Sequence, residues 1–178
     1  MGQSASLYRV SSEVFSQLEI SRNKQGSKIS SFAKDYAIAQ GSFMAIEFLL
    51  SKIEDPSAVE LAGELFNPKQ ALCGDNFDDL TMEEQMDLFE KGGIIPYLTR
   101  ETVHRINLLL DKFSESYLHE KYDPKELNAS RIYPEIWHDD NSPDLAFNEQ
   151  HIQDDMIPIK KIFKDAAKDE DYILVFVG

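Results

Sequence analysis

His138, Asp139 and Asp140 set an imidazole directly before two carboxylates, in the stretch "YDPKELNASRIYPEIWHDD". That grouping is the chain's most suggestive one for chemistry. A histidine with nearby carboxylates can hold a divalent ion or act as an acid/base pair. Adjacent residues seldom converge on one metal, and His119 and His151 stand far off in sequence, so no metal site is expected. Around this cluster lie Tyr133, Glu135 and Trp137. Rings with a polar tip suit a tight corner, where the ring packs and the OH or NH finds a backbone partner. A ligand pocket is the alternative reading. The binding candidates are therefore Tyr133, Glu135, Trp137, His138 and Asp139, with Asp75 as a possible distant carboxylate.

Elsewhere the chemistry is sparse. Cys73 is the single cysteine, and its neighbours Ala71 and Leu72 suggest a buried thiol rather than a nucleophile. No GxGxxG, phosphate-loop, GxSxG, HExxH or CxxC pattern occurs. No cofactor is implied, and catalytic residues cannot be named. The opening "MGQSAS" fits an acylation pattern. Only Arg9 supplies basic charge nearby, and one acyl chain anchors weakly, so the match reads as chance.

Net charge is −14 over 178 residues, and it is uneven. Residues 1–53 carry six basic and four acidic groups, whereas residues 54–91 carry two basic and eleven acidic. Such a surface repels phosphate backbones and anionic lipid, which argues against nucleic acid and membrane as partners. It suits a basic protein partner. A cytoplasmic chain is expected, since no apolar run nears the ~20 residues of a membrane helix and no signal peptide is visible. A monomer and a homodimer are both compatible with the helix stripes.

The elements that must position these residues are mostly helical. Ser4–Val10 predicts a strand and Ser11 a helix cap. Tyr36, Ala39, Phe43, Ile46, Leu50 and Ile53 recur at threes and fours and predict one central helix. A short helix with Val59, Ala62 and Phe66 inward follows, and Asn67-Pro68 reads as another start. Thr81 with Glu84 has capping-box spacing, and Gly92 offers a stop. Pro96 limits an extended piece, Thr99 caps a helix with Val103, Ile106, Leu110 and Phe113 inward, and Ser114 caps the next. Asp123-Pro124 with Glu126 starts another. Ser142-Pro143 opens a helix to about Gln150, and Pro158 falls in the first turn of a last helix ending near Lys168. "YILVFV" predicts a strand buried on both faces. Many helices with strands at both ends indicate an α+β domain whose terminal strands pair in a small sheet.

Several of these segments also carry a resemblance. Tyr97-Leu98-Thr99 with Val103, Leu118 with Tyr122-Asp123-Pro124, then Ile132-Tyr133-Pro134 and Ile136-Trp137 resemble the motifs of the YfbM-like family, a bacterial domain family of uncharacterised function. Leu7–Ser11, "FMAIEFLLSKI" and "YILVFVG" are similar to the family's first strand, a helix and its last strand. The resemblance implies one mixed α and β domain over residues 1–178, with a polar loop near 20–31 and an acidic insert near 54–91. Glu47–Lys52 departs from the histidine and glycine common there in the family, so no role for those is carried over. The family supplies no catalytic residues to transfer. The sequence thus points to a non-catalytic binding protein, with an enzyme or small-ligand pocket near Tyr133, Glu135, Trp137 and His138 as the alternative.

Overall fold

The computed structural model describes residues 3–20, 26–73, 81–90, 93–142 and 144–178. Its centre is an antiparallel sheet of β1 (Ser4–Val10), β2 (Asp35–Gln40), β3 (Gln70–Leu72), β4 (Ile95–Leu98) and β5 (Tyr172–Val177), in the order β2-β1-β5-β4-β3. The terminal strands pair as the sequence predicts, with Ser4 and Gly178 exchanging backbone hydrogen bonds at 2.7 and 3.0 Å. β5 lies in the middle, which explains its unbroken apolar run: Ile173, Leu174 and Val175 are all buried.

Strand alternation sends side chains to two cores. Ala5, Leu7, Ala37, Ala39, Leu98, Ile173 and Val175 face the larger one. There they meet α2 (Phe43–Leu50), α3 (Ala58–Phe66), α5 (Arg100–Lys112) and α8 (Glu149–Asp169). Val10, Ile95 and Leu174 face the smaller one, closed by Phe15 and Leu18 of α1 (Ser12–Ile20) and by Ile29 of a 3₁₀ turn at Gly26–Ser31. There Phe15 stacks on Tyr172, ring centroids 3.8 Å apart. Arg9 on β1 is buried; its Nε donates to Asp171 at 2.7 Å and its guanidinium also meets Asp169. Lys34 joins Asp171 at 2.9 Å, so the chain's return from α8 into β5 is tied to β1 and β2. Among the described residues no buried side-chain polar atom lacks a partner.

The helix starts follow the sequence closely. Thr99 accepts from Thr102 N–H at 3.1 Å, Ser114 from Tyr117 N–H at 3.0 Å, and Asp123 from Lys125 and Glu126 N–H, with Pro124 at the first helical position. These residues open α5, α6 (Glu115–Lys121) and α7 (Pro124–Ala129). Thr81 and Glu84 cap α4 (Met82–Glu90) reciprocally, and the two hydrogen bonds from Thr81 hold the Glu84 carboxyl below its ordinary pKa. Gly92 lies outside the described residues.

Six expectations are corrected. The predicted 36–53 helix is two elements, β2 and α2, because Gly41 takes φ +78° between them. The inward residues of β2 are Ala37 and Ala39, a period of two hidden inside an apparent period of three and four. Val59 is 71% exposed; Ala58, Leu61, Ala62 and Leu65 form the buried stripe of α3 instead. Asn67-Pro68 starts no helix but leads into β3, where pairing with β4 overrides the local start signal. Cys73 is exposed, because β3 is a short edge strand. Ser142 opens no helix; α8 begins at Glu149, capped by Asn148, and Pro143 lies outside the described residues. Pro158 sits well inside α8 rather than in its first turn. The carbonyl it leaves without an N–H belongs to Asp154, an exposed residue where solvent can serve it.

Candidate functional site

Both nitrogens of the His151 ring are occupied. Nδ1 accepts from the Phe147 N–H at 3.0 Å, and Nε2 stands 3.4 Å from Asp155 Oδ2, one helical turn on. The same oxygen accepts the Gln40 N–H at 3.1 Å and the buried Ser42 hydroxyl. Ser42 is the N-cap residue of α2, yet its side chain makes no cap bond because Asp155 takes it. Asp155 thus clamps the end of β2 and the start of α2 to α8.

The loop that leads into α8 is held by Asn148, which is 1% exposed. Its Oδ1 caps the helix by accepting the His151 N–H at 2.9 Å, and its Nδ2 donates to the carbonyls of Asp140, Ser142 and Leu145 at 3.0–3.2 Å. Phe147 takes φ +62° beside it, and its ring packs at 5.8 Å from Trp137 and 5.4 Å from His151. Gly41 has to be glycine for two reasons: its positive φ, and the Phe147 ring, whose Cε1 would stand 2.8 Å from an added Cβ. Gly41→Ala is expected to cost about 2 kcal/mol, of which ~1–2 is the left-handed backbone. Thermal unfolding would measure it.

These clamps leave a cleft of about 820 Å³ between the open ends of β1 and β2, the 133–147 loop and the first turns of α8. That is ample for a drug-sized ligand or an inserted side chain. Ser4, Ser6, Ile38 and Gln40 form its floor, Tyr133 and Leu145 a wall, and Asp144, Asp154 and His151, the last paired with Asp155, its titratable groups. Among the described residues no lysine or arginine lines it. The positive end of α8 also faces this way, but the Asn148 cap and the carboxylate of Glu149 offset it.

Of the binding candidates drawn from the sequence, the structure puts only Tyr133 at this cleft. Its OH accepts the Gln3 N–H at 3.3 Å. Trp137 is 4% exposed and packed into the large core, while the side chains of Glu135, His138 and Asp139 are exposed and do not line the cleft. Asp75 lies outside the described residues. The residues the sequence reading missed are Asp144, His151, Asp154 and Asp155. A histidine and an aspartate four apart on one helix was the signal for His151 and Asp155. Among the described residues no group of three histidine, cysteine or acidic side chains could hold a metal ion, and no helix is long and apolar enough to cross a membrane.

Asp155 raises the His151 pKa above its ordinary 6.5, chiefly through their hydrogen bond. Burial of the ring opposes this, and so does the Phe147 N–H, since a proton on Nδ1 would displace it. Attraction prevails: at 3.4 Å and an effective dielectric of ~20 it is about 5 kcal/mol, against ~1–3 kcal/mol for a lost hydrogen bond. A raised pKa in the folded state adds stability that is complete below the unfolded value. It is lost as pH rises through the folded value. We expect an NMR titration to place His151 above 6.5, and Asp155→Asn to lower that midpoint.

The family model for DUF1877, a domain of unknown function, matches residues 1–176. The chain belongs to the DUF1877 family. This DUF1877 domain also matches the crystal structure of a protein of unknown function, YfbM from Escherichia coli. The TM-score is 0.59 and the identity 14%, over 98% of this chain and 99% of that one. At that identity the likeness speaks to the fold, and it agrees with the YfbM-like motifs between Tyr97 and Trp137. A search of curated proteins finds no match.

Proposed function

We propose that this DUF1877 domain is a non-catalytic binding protein whose cleft accepts a cationic side chain from a basic protein partner. The observation that carries the reading is the lining: Asp144 and Asp154 bring two carboxylates, the histidine His151 is already paired with Asp155, and among the described residues no lysine or arginine accompanies them. The net charge of −14 extends the same preference outward and steers a basic partner to the surface. The occupied nitrogens of His151 favour binding over catalysis, because the imidazole has no lone pair to offer a substrate while Phe147 N–H holds Nδ1. The hydroxyl of Ser42 is buried and committed to Asp155, so it is not a nucleophile either.

The test is fluorescence anisotropy with a labelled glycine/serine peptide carrying a single arginine. Binding at low ionic strength should weaken as salt rises, should be absent for the glutamate counterpart, and should weaken several-fold in Asp154→Asn. Equal binding of the arginine and glutamate peptides, or none by either, would overturn the reading.

A further inference from the structure

Beside the cleft, the second face of the sheet carries a row of rings that runs from the small core, against which Tyr8 and Phe176 pack half-buried, out to the exposed Tyr36. Tyr36 on β2 is 62% exposed, although it stands in a strand directly opposite Tyr8. The Tyr8 ring lies 6.4 Å from Tyr36 and 5.9 Å from Phe176 of β5. Phe15 of α1 lies further along this face, where it meets Tyr97 and Tyr172. Tyr36, Ile38 and Gln40 alternate on one side of β2, and Ile38 and Gln40 are also the cleft floor. The ring row and the acidic cleft are therefore one continuous surface. An exposed ring on an edge strand needs no ligand to explain it, since cross-strand tyrosines stabilise a sheet by themselves. What adds to that explanation is the position of this ring, in line with the cleft lined by Asp144 and Asp154.

We propose that the Tyr36–Tyr8 row is a second subsite for the same partner. An extended basic segment lies along β2 with one cationic side chain in the cleft and another over the face of Tyr36. The proposal rests on the cleft reading above and adds a spacing rule to it. Residues four apart in an extended chain are ~13–14 Å apart and point the same way. That matches the span from Gln40 to Tyr36 on β2. Basic residues four apart fit both subsites, whereas three apart point to opposite sides. The occupant is a basic polypeptide rather than a small cation, because only a chain reaches both positions. The ring face attracts a guanidinium through its quadrupole, by an amount that is small but measurable at an exposed site.

The experiment compares three labelled glycine/serine peptides on the full chain: one arginine, two arginines four apart, and two arginines three apart. The four-apart peptide should bind about three-fold tighter than the single-arginine peptide, and the three-apart peptide should not. Tyr36→Leu keeps an apolar side chain and removes the π face; it should abolish the gain while leaving the single-arginine affinity unchanged. Equal gains for both spacings, or a gain that survives Tyr36→Leu, would overturn the second subsite and leave the cleft reading standing. If Asp154→Asn leaves every affinity unchanged, the cleft reading falls as well.

Discussion

Trp137→Ala is expected to cost about 3–5 kcal/mol, the range for truncating a large aromatic in a core. The indole is 4% exposed, its Nε1 donates to the Ile132 carbonyl at 3.0 Å, and its ring packs edge-on against Phe147. Its backbone is gripped as well: Trp137 N–H donates to Asn128 Oδ1 at 2.8 Å, and Asn128 Nδ2 donates to the Trp137 carbonyl at 3.0 Å. Tyr122 OH donates to the next carbonyl, that of His138. Burial pushes the Tyr122 phenol well above its ordinary pKa, so it stays a donor across the working range. The neighbouring control is His138→Ala. Among the described residues only the backbone of His138 is bonded, and its side chain is exposed, so the change should stay under ~0.5 kcal/mol. Urea denaturation of both variants reads the difference. A Trp137→Ala protein as stable as the parent, beside a weakened His138→Ala, would mean that the corner is not where the loop is anchored.

Asn148→Ala is the second large effect, at about 2–4 kcal/mol. Losing an N-cap costs ~1 kcal/mol, and carbonyls left without a donor in a part-buried loop add to it. Asn148→Asp separates the two contributions. An aspartate still caps the His151 N–H and favours the positive end of α8, but it offers no donor to Asp140, Ser142 and Leu145. If the three carbonyls matter more than the cap, Asn148→Asp should lose more than half of the stability that Asn148→Ala loses. If it is as stable as the parent, the amide donors contribute nothing. Both changes should also loosen Phe147 and with it the wall of the cleft, so peptide affinity should fall beyond what stability alone accounts for.

The parts of this fold written in local chemistry were legible in the sequence. Thr99, Ser114 and Asp123 cap helices because their side chains meet N–H groups two or three residues on, and that information is entirely local. The central strand Tyr172–Val177 was legible because burial on both faces demands an unbroken apolar run. Gly41 was not, because a period of two in Asp35–Gln40 and the helix after it combine into a false stripe. The site was harder. "IYPEIWHDD" looks like chemistry, but it spends Trp137 on packing and turns His138 and Asp139 outward. The cleft instead joins Ser6, Gln40, Asp144 and Asp154, which lie far apart along the chain. Only the sheet pairing of β1 with β2 and the long reach of α8 bring them together. The acidic run at 54–91 also drew attention away, since neither Asp144 nor Asp154 belongs to it.

The central claim is that the cleft between β1, β2 and α8 takes a cationic side chain. A titration of isotope-labelled protein with the single-arginine peptide, followed by amide NMR, addresses it most directly. The account predicts shifts concentrated at Ser4, Ser6, Ile38, Gln40 and Gln150, fading as salt is added, and lost in an Asp144→Asn, Asp154→Asn double variant. Shifts confined to another surface, or shifts at the cleft that persist in the double variant and in high salt, would contradict it.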